Sequence, residues 1–411
     1  MIAERLADWA LNYQITHEDE ELASRSLMDT VAVALAAQTN SIIAPAAVLD
    51  DAGRWAVLAH VIDFDDLHIP STTHISTVCV PAVLATGGGA REYLAAAGVM
   101  ARIGTALGWG HYTAGWHATT TAGPFGAAVA AGLALGLDAR GMATALALCV
   151  PSAGGVQRAF GTQAKSLQVG AAVDAGIRAA RLAAAGADAD LSAVEAWLSL
   201  VGGSPDADFD NSPAIPGGLA IKLFPACYAL QRPIAALRGA IGSTLDADQV
   251  ESVHVVTPRG TVTPLIHHEP QLGLEGKFSL EYAVATAILD EYQGFDEFTD
   301  TAVQRSDAQA IIGLVHVTLI DGGEGLLDGE VEVSVRLTSG ETRSGVLGLP
   351  PGSPGGPPAD ELFSKKLRAC LHATGVSIEQ LTWRESADIL RAAFDFDEKA
   401  PRVPGEWVRS S

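Results

Sequence analysis

The sequence predicts a mainly helical protein in which a large all-helical region is followed by a smaller α+β unit. Three observations predict it. The first half keeps a helical period and is poor in strand-like runs. The composition changes near residue 205, where SPDADFDNSPAIPGG (204–218) is acidic and rich in Pro and Gly and reads as a linker or hinge loop. Beyond it, short strand-like runs alternate with turn signals.

Taken in order, Leu6, Trp9, Ala10 and Tyr13 lie on one face of a first helix. Thr16 and Asp19 form a capping box ahead of a second helix through LASRSLMDTVAVALAA (22–37). Ala-rich helical segments recur at 91–107, 123–149, 167–185 and 190–200, and their small residues allow close helix approach. GGGA (87–90) reads as a helix-start turn. Strands are predicted at 251–258, 313–320, 329–337 and 343–349, the last two joined by the turn TSGET. A helix over 277–292 separates the first two strands. PPGSPGGPP (350–358) ends the unit, and two short helices close the chain. The expected division is 1–217, 218–354 and 355–411.

Of the 411 residues, 48% are apolar and 18% charged, which excludes wholesale disorder. The formal charge of −22 is a poor match for nucleic acid or an anionic membrane. Cys79, Cys149, Cys227 and Cys370 lie far apart with no CxxC, which reads as free thiols in a reducing compartment. Glu4, Arg5 and Asp8 stand where an export signal needs an apolar core, so a cytoplasmic protein is expected. The most apolar stretch, 123–156, is interrupted by Asp138, Arg140 and Pro151 and reads as packed helices of a soluble protein. So much apolar helical surface predicts a homodimer burying more than about 2,000 Å².

Three signals carry chemistry. HVIDFDDLHIPSTTH (60–74) crowds Asp63, Asp65, Asp66, His68 and His74 into one segment. It reads as a solvated loop, as carboxylates holding a metal in the manner of helical isoprenoid synthases, or as an aspartate orienting a histidine for acid/base work. The metal reading lacks a second metal-binding segment. GWGHYTAGWHATTTAGPFGAA (108–128) places His111 and His117 in a Gly-punctuated turn, with Thr119–Thr121 offering hydroxyls and N–H groups to an anion. Lysine is scarce: Lys165, Lys222, Lys277, Lys365, Lys366 and Lys399 are the whole set. The first three have small or apolar neighbours, which suits either internal salt bridges or the carboxylates of a substrate. Cys227, in FPACYAL, reads as a site-lining residue, since no Cys-His-Asn pattern surrounds it.

Together and in order, LMDTVAVALA (27–36), DFDD with its later histidine (63–74), GWH before a Gly/Ala helix (115–128), AKSLQVGAA (164–172), KLFPACY (222–228) and LEGKFSLEYAVA (274–285) resemble the MmgE/PrpD family. That family includes 2-methylcitrate dehydratase, cis-aconitate decarboxylase and iminodisuccinate epimerase. The resemblance implies a helical domain with an α+β lid, C-terminal helices that return to the helical domain, a homodimer, and no organic cofactor or metal. It implies that Asp63, His74, His117, Lys165, Lys222 and Tyr282 are catalytic. His68, Thr119, Cys227 and Lys277 are expected to bind substrate. The implied reaction is that of a lyase, dehydratase or decarboxylase, on a small di- or tricarboxylate; the alternative is an epimerase. The chain departs from the decarboxylase pattern at Leu67, in place of Thr, and at Cys227, in place of His. It is also short before the DFDD motif, over residues 43–52.

Overall fold

The computed structural model describes residues 1–209, 213–291, 293–323, 325–354 and 360–394. Part of the predicted linker (210–212), Tyr292, residues 355–359 and the C-terminal stretch 395–411 with Lys399 lie outside the described residues.

The first half is helical throughout. It comprises α1 (Ile2–Asn12), α2 (His17–Ala36), α3 (Asp51–Val61), α4 (Ser76–Thr86), α5 (Ala90–Thr113), α6 (Ala118–Ala134), α7 (Ala139–Cys149), α8 (Ala164–Ala184) and α9 (Ala193–Leu200). The Thr16 hydroxyl caps α2 by accepting from the Asp19 N–H, and the Asp19 carboxylate accepts from the Thr16 N–H in return. Gly87 ends α4 in the left-handed region and Gly89 caps α5, so GGGA is the predicted turn between helices. The predicted 123–149 segment is two helices, because Gly136 turns left-handed and the Asp138 carboxylate caps α7.

Helix α8 is the axis of this half and packs on α3, α6 and α7. Close approach requires the small residues predicted for it: a Cβ at Gly176 would overlap the Pro124 carbonyl oxygen of α6. The described part of 204–218 is not a loose tether. The buried Arg102 of α5 donates to the carbonyls of Phe209, Pro213 and Ala214 and lies over the Trp9 ring. Those bonds satisfy backbone groups that a free hinge would leave to water.

After α10 (Tyr228–Ile241) comes a four-stranded sheet of β1 (Val250–Pro258), β2 (Val315–Ile320), β3 (Val331–Leu337) and β4 (Thr342–Leu347), in the order β2-β1-β3-β4. β1 and β2 are parallel, and α11 (Leu280–Leu289) and α12 (Ser306–Ile312) supply the crossover that a parallel pair needs. β3 and β4 form the predicted antiparallel hairpin. Along β3, buried Val331, Val333, Val335 and Leu337 alternate with exposed Glu332 and Arg336. α10 covers the buried side, and a Cβ at Gly345 of β4 would overlap the Ala236 carbonyl. The last helices, α13 (Asp360–Leu371) and α14 (Ser386–Ala393), pack back on α2.

Two apolar cores result. One is built from the first-half helices together with Phe363, Leu367, Cys370 and Leu390 of the last two. The other takes residues from Ala220 to Leu337 and draws in Leu67 and Phe160. The four cysteines are buried and unpaired. No described helix is long and apolar enough to cross a membrane.

Candidate active site

The segment 62–75 joins α3 to α4 and meets the start of α8 and the segment leading to α10. Asp63 sits in the left-handed region (φ 55°), which aspartate tolerates better than most residues. Thr72, a β-branched residue, is also left-handed (φ 54°), a strained placement of the kind found at functional sites.

Asp63 is the hub. Its Oδ1 accepts from Lys165 Nζ at 2.6 Å and lies 3.3 Å from Lys222 Nζ, which also donates to the Asp63 carbonyl at 3.0 Å. All three groups are buried. Burial alone would raise the Asp63 pKa, but Lys165 and Lys222 outweigh it and hold the carboxyl below its ordinary range. Lys222 also stands 3.9 Å from Asp65 Oδ1, so the two lysines are shared between two carboxylates. The rings of Phe160 and Phe278 lie 5.7 and 5.3 Å from Lys165 Nζ, so the cation is held in apolar surroundings.

Asp65 points its Oδ2 at two imidazoles, 2.7 Å from His60 Nδ1 and 3.2 Å from His74 Nδ1. Burial opposes its ionisation, and His60 and His74 overcome that to hold its pKa well below the usual value. His74 Nδ1 is also 2.7 Å from the Asp66 carbonyl. Both neighbours are acceptors only, so His74 carries a proton on Nδ1, and its neutral form has the lone pair on Nε2.

His117 caps α6, and the Thr120 and Thr121 hydroxyls donate to its carbonyl. Its Nδ1 is 3.2 Å from Gln168 Oε1, which also accepts from the Val156 N–H, so His117 too is protonated on Nδ1. Burial, then His60 and Lys165, push its pKa well below the ordinary value, and it is neutral.

These groups share one narrow cleft, lined by Asp63, His74, His117, Lys165 and Cys227 among others, with about 30 Å³ of free space. Thr119 also lines it and accepts from the His74 N–H at 3.0 Å. Burial and the neighbouring Asp63 push the Cys227 thiol up to about 11, which argues against a thiolate nucleophile. A roomier cavity of about 220 Å³ lies on the other side of the acidic segment, against Asp29 and Asp66. It holds neither lysine nor histidine, so size does not mark the chemistry here.

Lys222 is wholly buried beside Asp63 and does not itself line the cleft, and three other expected site residues are not brought to it. The Tyr282 hydroxyl donates to the Glu297 carbonyl inside the second core; the tyrosines at the cleft are Tyr112 and Tyr228. His68 spends both ring nitrogens, one on Ser71 Oγ at 2.7 Å and one on the Pro216 carbonyl at 2.6 Å. Lys277 donates to the carbonyls of Ile62 and Pro225 beneath the Phe298 ring, and burial pushes its pKa down to about 7. His111 bonds the Val201 carbonyl and Thr121 and likewise does not line the cleft.

Other residues matter that the sequence reading did not single out. His60 opens the acidic segment five positions before Asp65, and that proximity was its one signal. Lys366 of α13 hides in a KKLR run that looks like surface charge. It is buried, pairs with Asp29 at 2.6 Å and donates to the Phe64 carbonyl at 2.7 Å, between Asp63 and Asp65.

Among the described residues, His60, Asp65 and His74 are the group whose donor atoms lie close enough, within 4.8 Å, to hold a metal ion. The donor set fits one poorly. His74 Nδ1 is committed as a donor to a backbone carbonyl, and Lys222 stands 3.9 Å from the other Asp65 oxygen.

No curated protein matches the chain. The MmgE/PrpD N-terminal domain matches residues 46–197 and the MmgE/PrpD C-terminal domain matches residues 224–391. The first match contains Asp63, His74, His117 and Lys165, and the second covers the sheet. The chain belongs to the MmgE/PrpD family.

Proposed function

We propose that the protein is a lyase acting on a small di- or tricarboxylic acid, by acid/base chemistry at the carbon next to a carboxylate. The observation that carries this reading is Asp63 and Lys165 in one cleft with two histidines protonated on Nδ1, and Lys222 buried against Asp63 behind them. Lys165 takes a substrate carboxylate, and Lys222 behind it adds to the positive field that spreads the charge built when the neighbouring carbon loses a proton. Asp63 holds the two ammonium groups side by side. His74 Nε2 is the base, and Asp65 behind Nδ1 compensates the imidazolium that forms. His74 returns the proton it has taken to the leaving hydroxide or to the carbanion; His117, neutral at rest with its proton on Nδ1, donates from Nε2 only after taking a proton there from solvent. No step needs an organic cofactor.

The cleft is too tight for such an acid as it stands. Phe278, Tyr228 and Leu326, from the sheet-bearing part, close one side of it. Entry requires that side to move, as a lid would. The helical residues 1–217 then form the base of the site and 218–354 the lid, and of the expected third part, 355–411, the described residues 360–394 return to the base. Tyr282 has no part in the chemistry.

A dehydratase of the 2-methylcitrate kind expels hydroxide from the β-carbon; a decarboxylase of the cis-aconitate kind loses CO₂ and reprotonates. An epimerase is the second reading, since a base and an acid flanking one carbon can return the proton to the opposite face. Incubation with a panel of hydroxylated, unsaturated and amino-substituted polycarboxylates in deuterated buffer, followed by NMR, separates them. Loss of water or CO₂ supports the lyase. Deuterium incorporation with inversion and no loss of mass supports the epimerase. Unchanged acids with no exchange would contradict both.

A further inference from the structure

His60 is wholly buried on the last turn of α3 and does not line the cleft, yet it touches both imidazoles that do. Its ring stands edge-on to His74, with centroids 4.8 Å apart, and stacks on His117 at 5.9 Å. Its Nδ1 faces Asp65 Oδ2 at 2.7 Å, the same oxygen that faces His74 Nδ1 at 3.2 Å. A carboxylate accepts and cannot donate, so His60 is the donor in that pair.

We propose that His60 is a positioning residue: it clamps the Asp65 carboxylate so that Oδ2 stays on His74 Nδ1, beside the Asp66 carbonyl, and faces the imidazolium that forms when His74 takes a proton. The inference rests on His74 acting in the proposed reaction. Asp65 has a competing partner in Lys222, 3.9 Å from Oδ1. Without His60, the carboxylate is free to turn about its terminal bond toward that ammonium, and His74 is left with the Asp66 carbonyl alone. A buried imidazole is costly unless its polar atoms are used, and among the described residues His60 Nε2 has no hydrogen-bond partner. The Nδ1 bond to Asp65 is what its presence secures. Burial holds His60 neutral, with a pKa near 4 despite Asp65, so the clamp is an uncharged donor that neither adds to nor cancels the cleft's charge.

The test uses the full chain with ¹⁵N-labelled histidine, comparing wild type, His60→Leu and His60→Asn by long-range ¹H–¹⁵N NMR and by turnover. Wild type is expected to show His74 protonated on Nδ1. His60→Leu should keep His74 protonated on Nδ1 but move its Nδ1 ¹⁵N shift as the Asp65 contact is lost, with a kcat lower by about tenfold to a hundredfold and KM unchanged, as for other groups that orient a catalytic side chain. His60→Asn, which carries an amide donor near the Nδ1 position, should recover most of the rate and the wild-type His74 shift. If His60→Leu does not fold, His60→Gln, with its amide nearer the Nε2 position, takes its place with the same expectations. A wild-type His74 protonated on Nε2, or a His60→Leu protein with unchanged kcat and His74 signals, would overturn the proposal. Should wild type act on no acid, the reading of the reaction fails by itself, while the His74 ¹⁵N shifts in wild type and His60→Leu still decide the clamp.

Discussion

Asp63 and Asp66 stand three residues apart in one loop and are driven in opposite directions. Both are buried. Asp63 has two lysines against it, and its pKa falls. Asp66 has the Ser76 hydroxyl and N–H for partners, and burial raises it to about 7. Asp63 faces the narrow cleft; Asp66 faces the larger cavity behind it. Burial is common to the two, so the difference is set by the lysines beside Asp63 and by the carboxylates of Asp29 and Asp65 near Asp66. An acidic run in a sequence is therefore not one electrostatic object. Each carboxylate takes its role from what the rest of the chain brings to it, here from α8 and from the segment before α10, about 100 and 160 residues away.

The largest expected effect comes from removing the charge at the paired aspartate. Asp63→Asn keeps the left-handed backbone but leaves Lys165 buried without its carboxylate and Lys222 with Asp65 alone, at 3.9 Å. Breaking a buried ion pair at one end costs roughly 3–5 kcal/mol. Chemical denaturation should show a loss of that order together with loss of turnover; a loss below about 1 kcal/mol would place the lysines' compensation elsewhere.

Asp66→Asn should do something different in kind. The folded pKa of Asp66, about 7, lies above the ordinary value of 3.8. Its contribution to stability is therefore fully present below about pH 4 and lost as pH rises through 7. Relative to Asp66→Asn, wild type should lose stability between those limits, with a slope of up to roughly 1.4 kcal/mol per pH unit. His60 works in the opposite sense over much of that window, since its pKa is lowered to about 4 and acid must charge it. Subtracting the variant's curve from the wild-type curve removes that term. A difference that does not change with pH would show that the two aspartates are alike after all.

The smallest effect is expected at Tyr282→Phe. The lost hydroxyl bond to the Glu297 carbonyl should cost about 1 kcal/mol. The rate per folded molecule should stay at the wild-type level. A large fall in kcat with normal stability would return Tyr282 to the reaction.

Much of this was legible in the sequence because it depends on local pattern. The capping box at Thr16, the hairpin at TSGET and the Ala-rich helices announce themselves within a few residues. The three scarce lysines in apolar surroundings were legible as buried cations; Lys165 lines the cleft, and Lys222 lies behind it against Asp63. Lys277 shows the limit of that reading. Apolar neighbours predict burial, but they do not distinguish a cation facing a substrate from one tied to two backbone carbonyls. The Tyr282 assignment failed in the same way, since the direction of a helical side chain is set by packing in the second core. His60 and Lys366 were missed for the converse reason. One reads as an ordinary apolar-helix histidine and the other as half of a surface pair, and only tertiary contact turns them toward Asp65 and Phe64.

The account rests on the Asp63–Lys165–Lys222 cluster serving a reaction rather than the fold, and Lys165→Met tests that most directly. Turnover or deuterium exchange of a responsive polycarboxylate and thermal unfolding should be measured on one preparation. Lys222 remains to pair Asp63, and the methionine keeps the length of the stem, so the protein should stay folded with a modest drop in melting temperature. The rate should fall by about 10²–10³, the usual cost of removing one group that faces transition-state charge. Wild-type turnover in a protein of sharply lowered stability would contradict the account and make Lys165 a structural partner of Asp63.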